Sequence, residues 1–164
     1  MGKRIPISTI PDSEVLPLGL VEVTCKSLKS GNTDDGVRFY TLAGRVSGPD
    51  DVEGFPFFDK FYVGTEDDAE ADDDKTWKTN RHAIRFKKLL LKAGLPDEDI
   101  EDDDVLNAAI KDVKVIASVS LYADTGKFNP ENKGKPRNSV RTYFALGERE
   151  PEVDFDSFER LKKS

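Results

Sequence analysis

The chain contains one cysteine and one histidine in 164 residues, and that scarcity excludes much chemistry. Cys25 has no second cysteine with which to form an internal disulfide, and no cysteine or histidine cluster stands near it to bind zinc, which fits a reducing compartment. His82 falls in a helical pattern with no cysteine or serine motif around it. A glycine-rich loop of the type that cradles phosphates in nucleotide hydrolases is also missing. A two-metal nuclease could be assembled from scattered acids, but no particular set of positions argues for one. The expectation is a non-enzyme with no metal and no cofactor, in which His82 is structural. No stretch approaches the roughly 18 apolar residues of a membrane span. The opening MGKRIPISTIP carries two basic residues with no apolar run of a signal peptide behind them. The expected setting is the cytoplasm, with no membrane partner.

What is present is enough for one domain with a proper core: 37% of residues are hydrophobic, 35% are charged, and ten are phenylalanine. The formal charge of −7 speaks at first against a nucleic-acid partner, because phosphate binding draws on Lys and Arg. The distribution of the charge removes that objection. Residues 66–74 (EDDAEADDD) and 97–104 (DEDIEDDD) hold 14 of the 32 acids, and the remaining 18 face 25 bases, a net of +7. Neither run has the glycine-centred spacing of a calcium loop, so both are expected to be solvated, partly disordered loops.

Alternation of apolar and polar residues predicts strands over 15–29, 37–46 and 55–63, joined by the turns GNTDDG and GPDDVEG. Trp77, His82, Arg85, Phe86, Leu89, Leu90 and Ala93 then recur at helical spacing, ending at Gly94 with Pro96 beyond. Its many cations, from Lys78 to Lys92, are expected to face solvent. Trp77 is either a core plug or a stacking residue. A shorter helical segment at 105–110 precedes two more strands, 113–122 and 139–146. The expected fold is mainly β. Three strands, a helix and two strands is the order of a five-stranded oligonucleotide-binding (OB) barrel, here with acidic loops and a flexible C-terminal tail. The division is an N-terminal extension over 1–14, the barrel over 15–147 and an acidic-aromatic tail over 148–164.

A basic residue stands two places before a tyrosine in three predicted strands: Arg38 with Tyr40, Lys60 with Tyr62, and Arg141 with Tyr143. Side chains at i and i+2 of a strand share a face, so each pair offers a cation for phosphate and a ring for a base. Platforms for single strands need this combination, since stacking tolerates any sequence and cations neutralise the backbone. The plainer alternative is that long basic side chains simply cover ring edges. The loop 123–138 adds Lys127, Phe128, Lys133, Lys135 and Arg137, either as a mobile basic finger over bound oligonucleotide or as an ordinary hairpin loop kept soluble by charge. Lys26 and Arg45 are second-rank candidates.

In the tail, EVDFDSF at 152–158 resembles the acidic, aromatic C-terminal tips by which many single-stranded DNA-binding proteins recruit replication partners. Its candidate contacts are Asp154, Phe155, Asp156 and Phe158; a short docking helix and an unstructured tail are the alternatives.

Taken together, the stretches LPLGLVEVTCKSLKS, GVRFYTLAGRV, FPFFDKFYV, the lysine-rich helix ending KAGLPD, and KPRNSVRTYFALG resemble a bacteriophage family long catalogued as a domain of unknown function and associated with single-stranded DNA binding. The resemblance covers residues 15–147. It implies an OB barrel that coats DNA exposed by a phage polymerase, helicase or recombinase, in replication or recombination inside the host cytoplasm. Phage or host proteins of those processes would then be its partners. The competing reading is an acidic protein-interaction module that mimics DNA or scaffolds replication proteins.

Overall fold

The computed structural model describes residues 15–65 and 80–163. The N-terminal extension, the acid run 66–74, Trp77 and Lys78 lie outside the described residues. The architecture is mainly β: among the described residues, a six-stranded antiparallel sheet with three α-helices. The strands are β1 (Leu18–Asn32), β2 (Val37–Gly48), β3 (Pro56–Thr65), β4 (Lys114–Ala123), β5 (Pro136–Ala145) and β6 (Glu152–Asp154). The helices are α1 (Arg81–Lys92), α2 (Asp103–Ile110) and α3 (Asp156–Lys163). Neighbours in the sheet run β3-β2-β1-β4-β5, with β6 pairing the start of β1 on the edge opposite β4.

The long strand β1 organises the sheet. Its first half pairs with β4 and its second half with β2. Its alternate residues Val21, Val23 and Cys25 are fully buried, as the period-2 pattern predicts. The core continues through Tyr40, Leu42 and Val46 of β2, Phe57, Phe61 and Val63 of β3, and Val115, Ala117 and Val119 of β4. Phe86 and Leu89 of α1, with Leu106 and Ile110 of α2, complete it. Phe61 of one edge strand and Tyr143 of the other lie 6.3 Å apart between ring centroids. The sheet therefore curls until β3 and β5 face each other, yet they share no ladder and the sheet stays open.

Helix α1 seals this seam from one end, contacting both β3 and β5. It starts where Asn80 Oδ1 accepts the Ala83 N–H at 3.1 Å, satisfying one of the orphan donors of a helix N-terminus. It stops at Gly94, whose φ of +89° lets the Leu95 N–H return to the Leu90 carbonyl in the manner of a glycine C-cap.

Two sequence expectations are corrected. The run 97–104 is more than a solvated loop: Asp102 caps α2 by accepting from the Asp104 and Val105 N–H groups, and Asp103 is bound by Arg38, Tyr40 and Ser30. The C-terminal segment is not a free tail either. Its β6 extends the sheet on β1, and buried Ser157 accepts the Leu18 N–H at 3.1 Å while donating to the Asp154 carbonyl. The segment carries few apolar residues, so its backbone pairing left no pattern in the sequence.

Candidate nucleic-acid interface

Alternation along β3 turns Phe57, Asp59, Phe61 and Val63 inward and leaves Phe58, Lys60 and Tyr62 exposed. The antiparallel register sets Tyr62 opposite Phe39 and Lys60 opposite Thr41. The Phe39 and Tyr62 rings consequently meet with centroids 5.9 Å apart, tilted by 57°. The Lys60 ammonium lies 4.0 Å from the Phe39 centroid and 5.2 Å from that of Tyr62, within the range of a cation–π attraction. Across from Phe39 on β1 stands Gly31. A Cβ there would come within 2.6 Å of Phe39 Cζ, so the missing side chain gives the ring room to lie over β1. His82 of α1 meets Tyr62 edge-on, with centroids 5.5 Å apart. Phe58 continues the surface at 68% exposure.

Of the three basic-tyrosine pairs, Lys60 and Tyr62 alone lie together on a solvent face. Tyr40 is 4% exposed, stacks on Phe86 at 4.6 Å, and donates its hydroxyl to Asp103 Oδ1 at 2.8 Å. Arg38 bonds the same carboxylate beneath the first turn of α2. Burial, then the hydrogen bond to Asp103, pushes the Tyr40 hydroxyl up to about 12. Tyr143 is fully buried. Both tyrosines are therefore corrected from stacking residues to core residues. Spacing i, i+2 fixes that two side chains share a face without saying which face. Tyr40 belongs to the buried series with Leu42 and Val46, and Tyr143 stands opposite fully buried Ala117. Arg141 parts company with Tyr143 because it is the extra residue of a β-bulge: Val119 pairs with Val140 and Ser118 with Thr142. Bulges re-aim side chains, and Arg141 is exposed.

Beneath the seam lies a polar cluster that the sequence did not reveal. Arg85 donates through Nε and Nη2 to both oxygens of Asp59, each at 3.0 Å, and the Tyr143 hydroxyl donates to Asp59 Oδ2 at 2.7 Å. Burial, with the Asp59 carboxylate beside it, holds the Tyr143 hydroxyl well above the usual phenol range, so it remains a donor. Above this cluster, β3, β5 and α1 enclose an open groove of about 960 Å³.

The β4–β5 loop carries a ring of its own. Phe128 at its tip is 96% exposed, with the Lys127 ammonium 5.8 Å from its ring, and Lys133 and Lys135 are exposed beside it. Arg137 is held at 3.1 Å by Asp124, whose carboxyl sits below its ordinary pKa through the Gly126 N–H first and Arg137 second. Across the hairpin from Arg137, the half-exposed Tyr122 escaped the sequence reading. Lys26 faces Asp112 at 3.5 Å, and Arg45 is exposed while donating to the Gly54 carbonyl. In the C-terminal segment Asp154 bonds Arg160 and the Asp156 N–H. Phe155 is half-exposed and Phe158 partly buried.

Phe39 and Phe58 are the main residues that sequence reasoning missed. The signal was there: Phe39, Thr41, Ala43 and Arg45 form the more polar alternate series of β2, which marks its solvent face. Among the described residues there is no cluster of His, Cys, Asp and Glu suited to a metal ion, and no helix is long and apolar enough to cross a membrane. Compared with known proteins, the chain matches no family model and no curated protein.

Proposed function

We propose that this chain is a non-catalytic protein that binds single-stranded DNA, with little sequence preference, on the outward face of β1, β2 and β3. The observation that carries the reading is the outward-facing ring pair of half-buried Phe39 and exposed Tyr62 with the Lys60 ammonium against it. Exposed rings on a sheet provide stacking of about 1–3 kcal/mol per base, and adjacent cations bind the backbone that joins the bases. Rings held on a sheet face cannot reach bases stacked inside a duplex, which is why the reading is for single strands.

The fold reading behind it is an OB barrel lacking the β3–β5 closure. The neighbour order β3-β2-β1-β4-β5, with a helix between the third and fourth strands, supports this. Such barrels bind oligonucleotides on the faces of their second and third strands and with the loop between the last two. That loop here bears Lys127, Phe128, Lys133 and Lys135. In the same reading the protein is phage-encoded and coats DNA exposed during replication or recombination in the host cytoplasm. Half-exposed Phe155 is then a contact for a protein of that machinery.

The test is fluorescence anisotropy with a labelled oligothymidine of about 30 residues, at low and high salt, with unlabelled duplex as competitor. Tight, salt-sensitive binding that duplex fails to displace is the expected result. Absence of binding at low salt would overturn the reading.

A further inference from the structure

The groove between β3, β5 and α1 carries a charge pattern that its structural role leaves unused. Its lining includes five cations, Lys60, Arg81, Arg85, Lys88 and Arg141, and one carboxylate, Asp59. Asp59 is already neutralised by the paired Arg85 bonds and the Tyr143 hydroxyl. Arg81, Lys88 and Arg141 are exposed, and among the described residues none has a carboxylate within ion-pair distance. Like charges gathered around one groove repel one another and raise the local concentration of anions. Phe58 and Ile84, at 68% and 51% exposure, add apolar surface to the same groove.

The groove is continuous with the ring pair. Lys60 lines it and also lies over Phe39. His82 lines it and also contacts the Tyr62 ring. Phe58 stands two residues from Lys60 on the same outward side of β3, about 7 Å away along the strand. A strand of nucleic acid lying on Tyr62 and Phe39 therefore meets the groove at the edge of β3, without crossing any acidic surface among the described residues.

We infer that the groove is a second segment of the nucleic-acid site, in which Arg81 and Lys88 of α1, opposite Arg141 of the β5 bulge, take the phosphates of a strand that has left the sheet face beside Phe58. The inference rests on the proposed single-strand binding and assigns to α1 a contact role in place of the solvent-facing one its sequence suggests. An anionic polymer fits better than an acidic peptide because the cations are spread over both walls and continue a surface of exposed rings.

The test compares a short oligothymidine of about 4 residues with one of about 16, the limits of site size for a single OB fold, on the wild type and on the R81A/K88A variant. Alanine is the best helix former, so the variant keeps α1; an unchanged thermal midpoint verifies this. The long oligonucleotide should bind the variant more weakly, and the slope of log affinity against log salt should fall by about 1.4, the loss of two single-strand phosphate contacts. The short one, filling only the sheet face, should bind as before. R141A should reproduce the pattern with about half the change in slope. Equal weakening for both lengths, or no change for either, would overturn the groove assignment while leaving the sheet-face reading intact. An acidic, phenylalanine-bearing peptide that binds the wild type and not R81A/K88A, with oligonucleotide binding unchanged, would give the groove to a protein partner and overturn it likewise. If neither oligonucleotide binds the wild type, the proposed function falls first and the groove assignment with it.

Discussion

The Tyr143 hydroxyl donates to Asp59 Oδ2 at 2.7 Å, joining β5 to β3 at the place where the sheet has no backbone ladder. With Arg85 holding both carboxylate oxygens, a side-chain cluster does at this seam what strand pairing does elsewhere. Tyr143→Phe removes one hydrogen bond to a charged group and should cost about 1.5–3 kcal/mol in urea denaturation, with oligonucleotide affinity unchanged under folding conditions. Asp59→Ala leaves the mostly covered Arg85 guanidinium without its carboxylate and should cost about 3 kcal/mol, the low end of the range for breaking a buried pair, because Arg85 keeps its bond to the Lys60 carbonyl. Loss of affinity in folded Tyr143→Phe would return Tyr143 to the binding site.

The outward rings should behave in the opposite way. Tyr62→Ala and Phe39→Ala should each weaken binding of oligothymidine by about 1–3 kcal/mol, read by anisotropy, with a smaller loss of stability for exposed Tyr62 than for half-buried Phe39. Tyr40→Ala, by contrast, empties a core position and should cost about 3–5 kcal/mol of stability. Equal affinity for Tyr62→Ala and wild type would remove the ring pair from the site.

Gly31→Ala isolates the position of the Phe39 ring. The new Cβ would fall 2.6 Å from Phe39 Cζ, the far end of a side chain that can swing outward, so the fold should persist while the ring leaves β1. Affinity should drop toward that of Phe39→Ala. A variant that binds as wild type would show that the ring's seat on β1 is irrelevant to binding.

Acid should weaken the anchoring of α2. Partial burial pushes the Asp103 carboxyl up, but hydrogen bonds from Ser30 and Tyr40 and the Arg38 guanidinium outweigh it and hold its pKa below the ordinary value. A carboxyl lowered in the folded state contributes stability above its unfolded pKa of about 3.9, and that contribution is lost as the pH falls through the folded value. The stability gap between wild type and Asp103→Asn should therefore be full at pH 7 and shrink below about pH 4. A gap independent of pH would contradict this role.

Removing residues 152–164 should destabilise the domain, because β6 pairs with β1 and Ser157 satisfies the Leu18 N–H. For a chain of this size each kcal/mol lost lowers the thermal midpoint by about 2–4 °C. A truncated protein with the midpoint of the full chain would mean that the segment is dispensable to the fold.

Much of the fold was legible because β1 and β2 alternate cleanly, β3 and β4 are rich in the aromatic and β-branched residues that favour strands, and α1 carries both an apolar stripe and a glycine stop. The strand β6 was not, since three residues of backbone pairing leave no hydrophobic period. The site was legible in part. Lys60 and Tyr62 stood out because their strand is aromatic on both sides, so a ring at an outward position was assured. Arg38–Tyr40 and Arg141–Tyr143 misled because local spacing cannot tell the core face from the solvent face, and because a single bulged residue separates Arg141 from Tyr143. The contact of α1 with the groove depends on tertiary placement, which no pattern within the helix encodes.

The central claim is most directly tested by following the backbone amides and aromatic rings of the labelled protein by NMR during titration with oligothymidine. The account predicts the largest shifts at Phe39, Phe58, Lys60 and Tyr62, with Tyr40 and Tyr143 little changed. Shifts confined to α2 and the acid run before it, or none at saturating oligonucleotide, would contradict it.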